Sequence, residues 1–140
     1  MNSEPNKNRV LTAFDKFVIQ GDLSEVEAYI APNYTGHFSG FPTVSGREAF
    51  RQFLTMQNNA FSDRNLSMEE ILSEGDKVVL RLTFRGTHTG ELNGIPPTGR
   101  KVEYQAMNIL HLSGDYFVEQ WAVLDNMTMM QQLGLIPAQA

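Results

Sequence analysis

The spacing of the hydrophobic residues changes once, near Arg64, and this change constrains the fold more than any other feature of the sequence. Up to Ala60 the apolar residues recur with the period of a helix. From Asn65 onward apolar and polar residues alternate, which is typical of half-buried strands. Helices followed by a run of strands predict an α+β domain, in which a curved antiparallel sheet wraps its concave face around the helices.

Three helices are predicted before the change of period. The first covers about 6–20 and ends at Gly21. A short second helix follows Asp22, which we interpret as its N-cap, carries Leu23, Val26 and Ile30 as an apolar stripe, and stops at Pro32. The third covers about 45–60 and opens with a capping box of Ser45 and Glu48.

Four strands are predicted after the change, over 65–73, 77–88, 101–112 and 116–124, and a loop or short strand precedes helix three at 33–41. Gly-containing turns at 74–76 and 113–115 make adjacent strands into hairpins. A short final helix is predicted from Asn126 to Leu133, with Gly134 as its C-cap.

The parity of the strands predicts which side chains face inward. In 77–88 and 101–112 the even positions are the more apolar, and Asn108 is then an amide in an apolar stripe. In 116–124 neither parity is clearly polar, so both faces are predicted to be covered, one by a pocket and one by a subunit interface. Asp125 continues the series of Phe117 and Trp121.

Asp125 has two interpretations. A carboxylate among apolar neighbours has a raised pKa, as a general base near neutral pH requires. The same residue precedes a helical run and fits an N-cap. The two roles do not exclude each other.

The composition excludes several classes of function. The net charge is −5 and the 11 Lys and Arg residues are scattered, which argues against a nucleic-acid binder. There is no Cys, and His37, His88 and His111 lack the spacing of a metal site, so we expect no metal and no cofactor. The N-terminal segment is polar, and no apolar stretch is long enough to cross a bilayer. We therefore expect a cytoplasmic protein that contacts no membrane.

Several motifs resemble those of the SnoaL-like polyketide cyclases, over nearly the whole chain and in the same order. They are Pro32-Asn33-Tyr34, Ser45-Gly46-Arg47-Glu48-Ala49-Phe50, Gly86-Thr87-His88-Thr89-Gly90-Glu91, Gly94-Ile95-Pro96-Pro97-Thr98-Gly99-Arg100, Glu119-Gln120-Trp121, Asp125 and Gln132-Leu133-Gly134. The resemblance implies one domain over 1–140, with an ordered core of about 6–135, and the cone-shaped fold of nuclear transport factor 2, an α+β barrel usually found as a homodimer.

The resemblance also implies a reaction. The family's cyclases close the last ring of aromatic polyketides, in secondary metabolism, by an intramolecular aldol condensation that needs no metal or cofactor. An Asp just before the last helix removes a proton α to a carbonyl, and Asp125 stands at that place. The expected activity is therefore that of a cyclase or isomerase, in the lyase or isomerase class. Other proteins of this fold run different chemistry or only bind ligands.

The remaining candidate residues surround a predicted pocket for a small apolar molecule, such as a polycyclic aromatic. Asn108 stands where the cyclases carry a His and could donate a hydrogen bond to a substrate oxygen, or be a satisfied core amide. His37 is a candidate proton shuttle or a plain surface residue. The predicted aromatic wall comprises Phe14, Phe17, Tyr34, Phe50, Phe53, Tyr104 and Trp121. Two other functions stay open, a carrier of an apolar metabolite and a dimerising module with a vestigial pocket.

Overall fold

A computed structural model describes residues 3–137 of the protein. The first helix, α1 (Glu4–Phe14), continues into a π-helical turn (Asp15–Ile19) that ends just before Gly21. The elements that follow are α2 (Val26–Tyr29), β1 (Ile30–Phe38), β2 (Val44–Ser45), α3 (Arg47–Ala60), β3 (Phe61–Glu74), β4 (Lys77–His88), β5 (Lys101–Ser113), β6 (Tyr116–Leu124) and α4 (Asn126–Gln132). The predicted α+β class is confirmed.

The six strands form one curved, open sheet in the order β2-β1-β6-β5-β4-β3. The three neighbouring strand pairs from β3 to β6 are antiparallel, as predicted. Strand β1, however, runs parallel to β6, so the sheet is mixed, and the prediction of a purely antiparallel sheet was wrong. Strands β3 to β6 form an antiparallel meander, and β6 lies at one side of it. Strand β1, which lies between α2 and α3 in the sequence, pairs with β6 at that side and runs in the same direction.

Two predictions in the N-terminal half were wrong in detail. The predicted second helix carried Leu23, Val26 and Ile30 and stopped at Pro32, whereas α2 covers only Val26–Tyr29, and Ile30 and Pro32 both belong to β1. The ladder with β6 is interrupted between Ile30 and Thr35, so Pro32 lies where no ladder N–H is required. The capping box of α3 is absent, because Ser45 pairs with Thr35 in the sheet and Gly46, at φ 93°, is the residue that precedes the helix.

A bulge in β6 reverses the parity of that strand. His111 pairs with Glu119, and Leu112 pairs with Phe117, so Val118 is an extra residue in the ladder. Phe117 faces inward before the bulge, and Gln120 faces inward after it. The two parities of 116–124 therefore share the concave face, each over part of the strand.

The helices α1 and α3 cover the concave face of the sheet. Buried apolar residues from both helices meet the even positions of β4 and β5, whose inward direction is confirmed.

Buried His88 holds the loop after β4, since its Nδ1 lies 3.0 Å from the Thr98 hydroxyl and 3.2 Å from the Thr98 amide nitrogen. Within 3–137, no helix is long and apolar enough to cross a membrane.

Candidate functional site

A cavity of about 130 Å³ lies between the helices and the concave face, partly open to solvent. Its wall is largely apolar and aromatic. The lining residues are Ala13, Phe14, Phe17, Val18, Phe38, Phe50, Phe53, Leu54, Gln57, Asn58, Arg64, Leu66, Leu82, Phe84, Tyr104, Ala106, Asn108, Leu110, Phe117, Gln120, Ala122 and Leu124.

The volume limits what the enclosed part of the cavity holds. Pockets for drug-sized ligands measure roughly 300–1,000 Å³, whereas an apolar cavity of roughly 150 Å³ holds benzene. The enclosed space here therefore suits a single ring. A larger polycyclic ligand fits only with one end inserted and the remainder at the open side.

Three buried polar side chains form a hydrogen-bonded chain that reaches this cavity. The Tyr34 hydroxyl donates to Gln120 Oε1 over 2.8 Å, and Gln120 Nε2 donates to Asn108 Oδ1 over 2.8 Å. Tyr34 is 0% exposed, and Asn108 and Gln120 are 4% and 5% exposed. Asn108 Nδ2 bonds to no other residue within 3–137, so the N–H groups of Asn108 are available to a ligand in the cavity that it lines.

The sheet positions this chain through local sequence choices. Gly36 on β1 pairs with Gln120 on β6, and a Cβ at Gly36 would lie 2.5 Å from the Tyr34 hydroxyl oxygen. The absence of a side chain at Gly36 thus makes room for that hydroxyl. The Val118 bulge turns Gln120 inward, toward Asn108.

Two phenols near the cavity are strongly desolvated. Burial raises the pKa of the Tyr34 hydroxyl and of the Tyr104 hydroxyl well above the ordinary value for tyrosine. Both groups therefore stay protonated at any physiological pH. Tyr34 in particular is a permanent hydrogen-bond donor to Gln120.

Arg64 closes one corner of the cavity wall. Its Nε donates to the Val18 carbonyl over 2.7 Å, and its Nη1 donates to the carbonyls of Asn58 and Phe61 over 2.8 and 2.7 Å. A cation at the C-terminal ends of the π-helical turn and α3 is stabilised by their carbonyl dipoles. Arg64 thus joins both helical segments to the start of β3.

The structure brings most of the predicted aromatic wall together. Phe14, Phe17, Phe50, Phe53 and Tyr104 all line the cavity. Tyr34 lies behind the lining, where it bonds to Gln120. Trp121 is 40% exposed on the convex face and is not part of the cavity wall, because the bulge at Val118 turns it outward.

Asp125 lies at the N-terminus of α4 with an exposed side chain. Its Oδ1 accepts from the Thr128 amide over 3.1 Å, and its Oδ2 accepts from the Thr128 hydroxyl over 2.7 Å. The N-cap interpretation is therefore confirmed. The preceding residue, Leu124, lines the cavity, so Asp125 is one residue beyond its wall.

His37 lies on the convex side of β1. Its Nε2 is 2.8 Å from Glu119 Oε2, and its ring stacks on Trp121 with 5.4 Å between ring centroids. It does not line the cavity. The three predicted polar site residues are thus apart, with Asn108 in the cavity, His37 on the convex face and Asp125 at a helix cap.

Reasoning from the sequence missed Gln120 and Arg64 as cavity residues. Gln120 was not singled out because neither parity of 116–124 was favoured and nothing in the residue types around Val118 marks a bulge. Arg64 directly follows the helical pattern. A single charged residue at such a boundary does not indicate that its side chain will bind three backbone carbonyls. Among residues 3–137 there is no cluster of three or more His, Asp or Glu side chains suited to a metal ion.

The sequence over residues 8–133 matches the family model described as SnoaL-like polyketide cyclase. The chain belongs to this family. Among characterised relatives, aklanonic acid methyl ester cyclase AcmA of Streptomyces galilaeus is 32% identical over 94 residues, which cover 65% of this chain and 65% of AcmA. The matched region thus spans less than two thirds of that relative.

Solved structures of the SnoaL-like family superpose on most of the chain. AclR of Streptomyces galilaeus, a proposed hydroxylase, has a TM-score of 0.86 and 26% identity, covering 99% of this chain and 87% of AclR. IdmH of Streptomyces antibioticus, a proposed polyketide cyclase, has a TM-score of 0.78 and 31% identity, covering 94% of this chain and 99% of IdmH. One SnoaL-like fold thus accompanies more than one proposed chemistry.

Proposed function

We propose that the cavity binds the reacting end of a ketone-bearing, ring-containing molecule of the polyketide kind, and that the protein catalyses a cofactor-free cyclisation or isomerisation of it. One observation carries this proposal. Asn108 presents amide N–H groups at the wall of a cavity that is otherwise largely apolar and aromatic. Apolar surfaces hold the ring, and the buried amide of Asn108 selects and orients one oxygen.

The same donor supports chemistry at a ketone. Removing a proton α to a carbonyl places negative charge on the carbonyl oxygen, and a fixed donor in a dry site stabilises that charge. Asn108 is held by its bond to Gln120, so its amide does not need to reorganise as the charge develops. AcmA and its relatives are named for acting on aklanonic acid methyl ester, and we propose a substrate of that general type.

We assign the proton acceptor to Asp125, on the strength of the family resemblance and its position next to Leu124 of the cavity wall. In the capped state both of its carboxylate oxygens accept bonds from Thr128. The base role then requires ligand binding to turn the carboxylate from the cap toward the open side of the cavity.

Asp125→Asn separates the cap from the base. The Asn oxygen can still accept from the Thr128 amide, and the Asn nitrogen can donate to the Thr128 hydroxyl, so both bonds survive the change. We expect ring closure of aklanonic acid methyl ester, followed by absorbance and chromatography, to fall by roughly 10²–10⁴-fold with little change in Tm. Full activity of Asp125→Asn would refute the base assignment.

A non-catalytic carrier is the second candidate. The residues that line the cavity include no Asp, Glu or His, so no side chain of an ordinary general base faces the ligand within 3–137. If the native protein binds the ester in the cavity and returns it unchanged, the carrier is the better description.

Activity lost on EDTA treatment and restored by zinc or magnesium would contradict the cofactor-free reaction.

We also propose that the protein is a homodimer in the cytoplasm. An outer apolar patch on the convex face consists of Leu72, Val79, Met107, Ile109, Trp121 and Val123, which are all exposed. The ladder pairs Leu72 with Val79, Val79 with Ile109, Ile109 with Trp121, and Met107 with Val123, so the patch is continuous across four strands. An apolar surface of this kind marks an interaction site.

A further inference from the structure

We propose that Tyr34 is a positioning residue whose hydroxyl sets the direction of the hydrogen-bonded chain, so that Asn108 offers the ligand N–H donors and not its carbonyl oxygen. This inference rests on the proposed function and narrows it. It makes Tyr34, which does not touch the cavity, a determinant of which ligand group the cavity accepts.

A buried chain of primary amides can run in two directions. In the observed direction Tyr34 donates to Gln120 Oε1, and Gln120 Nε2 donates to Asn108 Oδ1. If both amide groups turned over, Gln120 nitrogen would donate to the Tyr34 oxygen, and Asn108 nitrogen would donate to Gln120. Asn108 would then present an acceptor oxygen to the cavity.

The Tyr34 hydroxyl decides between these directions. Its hydrogen bonds only to Gln120 among residues 3–137, and Tyr34 is completely buried. The reversed chain would leave that hydrogen without an acceptor, and an unsatisfied buried donor shifts such an equilibrium by roughly 5- to 150-fold. The observed direction is therefore strongly favoured while the hydroxyl is present.

The surroundings of Tyr34 leave its hydroxyl little freedom. The ring packs edge-on against Phe50, with 5.1 Å between ring centroids. Its oxygen occupies the space where a side chain at Gly36 would lie, and β1 carries both residues beside Gln120. Because burial also raises its pKa, Tyr34 does not lose the proton on which the direction depends.

The consequence is a preference for acceptors. A ketone or enolate oxygen at Asn108 completes the chain, whereas a group with only an N–H or O–H donor meets another donor there. Removing the Tyr34 hydroxyl makes both directions possible, so the preference for acceptors should weaken although no atom of the cavity wall has changed.

The test compares Tyr34→Phe with the native protein. The probes are acetophenone, which carries an acceptor oxygen, α-methylstyrene, which has the same shape without that oxygen, and indole, which carries only a donor. Dissociation constants are measured by ligand-observed and protein-observed NMR titration. The control is Tyr29→Phe, which removes a phenol from the same core, outside the cavity and the chain.

We expect the native protein and Tyr29→Phe to bind acetophenone several-fold more tightly than α-methylstyrene, and to bind indole poorly. In Tyr34→Phe the ratio of acetophenone to indole affinity should fall by roughly 5-fold or more. An unchanged ratio in Tyr34→Phe, with the native preference present, would overturn the inference alone. A native protein without the ketone preference would overturn the proposed function together with it.

A measurement on the native protein avoids any effect of the substitution on folding. Neutron diffraction from a deuterium-exchanged crystal locates the deuterium atoms of the amide groups. We expect the deuterium of Tyr34 to point to Gln120, and the nitrogen of Asn108 to face the cavity. An Asn108 oxygen facing the cavity would overturn the inference.

Discussion

At the scale of single residues, the chemistry of the cavity depends on Tyr34, Gln120 and Asn108. Burying an amide or hydroxyl without a hydrogen-bond partner costs about 1–3 kcal/mol of folding free energy. The hydrogen bonds between these three side chains reduce that cost. The chain ends at the cavity wall, where the N–H groups of Asn108 remain for a ligand. We therefore expect three side chains on three different strands to determine which ligands this cavity binds.

The buried phenols predict how stability depends on pH. An unfolded tyrosine ionises near pH 10, whereas the folded-state pKa values of Tyr34 and Tyr104 are raised by burial. Their contribution is complete below pH 10 and is lost above it, because the unfolded state then releases protons that the folded state keeps. At pH 11 we expect a loss of about 1.4 kcal/mol for each of the two residues.

Urea unfolding between pH 8 and pH 11 checks this expectation. Tyr34→Phe should be less stable at pH 8 but should lose less stability between pH 8 and pH 11 than the native protein. Equal slopes for Tyr34→Phe and the native protein would show that the Tyr34 phenol ionises in the folded state as it does in the unfolded chain.

Sequence patterns identified some of these residues and missed others for a definite reason. Asn108 was found because β5 alternates without interruption, so an amide at an even position had to face inward. Gln120 was missed because one extra residue, Val118, reverses the parity of β6. A period-two pattern cannot locate a bulge when neither face is clearly polar, as in 116–124.

At the scale of elements, the loop between β4 and β5 lies close to the end of α3. Gly90 donates its backbone N–H to the Ala60 carbonyl over 3.0 Å. Together with the bonds of His88 to Thr98, this contact fixes the loop that carries several of the family motifs. The glycines of these motifs thus allow close backbone packing as well as turns.

Gly90→Ala is expected to destabilise the protein because a Cβ at this position would lie 2.0 Å from the Asn59 carbonyl oxygen. Overpacking against backbone costs about 1–3 kcal/mol or more, since the backbone must move. Gly94→Ala is the control: it adds a methyl group to open space and carries only the strain of a positive φ. Thermal unfolding should give a lower Tm for Gly90→Ala than for Gly94→Ala, and the opposite order would contradict the close packing.

At the scale of the whole molecule, the class of fold was predictable and the sheet topology was not. The change of period marked the end of α3 and the start of the four-strand meander, although β1 and β2 lie before it, and the turns at Gly75 and Gly114 fixed the two hairpins β3–β4 and β5–β6. The parallel pairing of β1 with β6 joins residues far apart in the sequence. No local pattern encodes such a pairing.

The outer apolar patch predicts a dimer in solution. Val123 is 66% exposed, so Val123→Glu should leave the fold intact and place a charge in the proposed interface. Leu11→Glu is the matched control, because Leu11 is exposed on α1, on the other side of the sheet. Light scattering at micromolar concentration should give a dimer mass for the native protein and Leu11→Glu, and a monomer mass for Val123→Glu. A native monomer would refute the dimer.

The central claim is that Asn108 gives a largely apolar cavity a buried, oriented donor for a ligand oxygen, and calorimetric binding tests it most directly. Acetophenone and α-methylstyrene are titrated into the native protein and into Asn108→Leu, which has a similar volume and no donor. We predict that the native protein prefers acetophenone by roughly 2- to 12-fold, the range expected for one net hydrogen bond. Asn108→Leu should bind the two probes about equally. The same ketone preference in both proteins, or no preference in the native protein, would contradict the account.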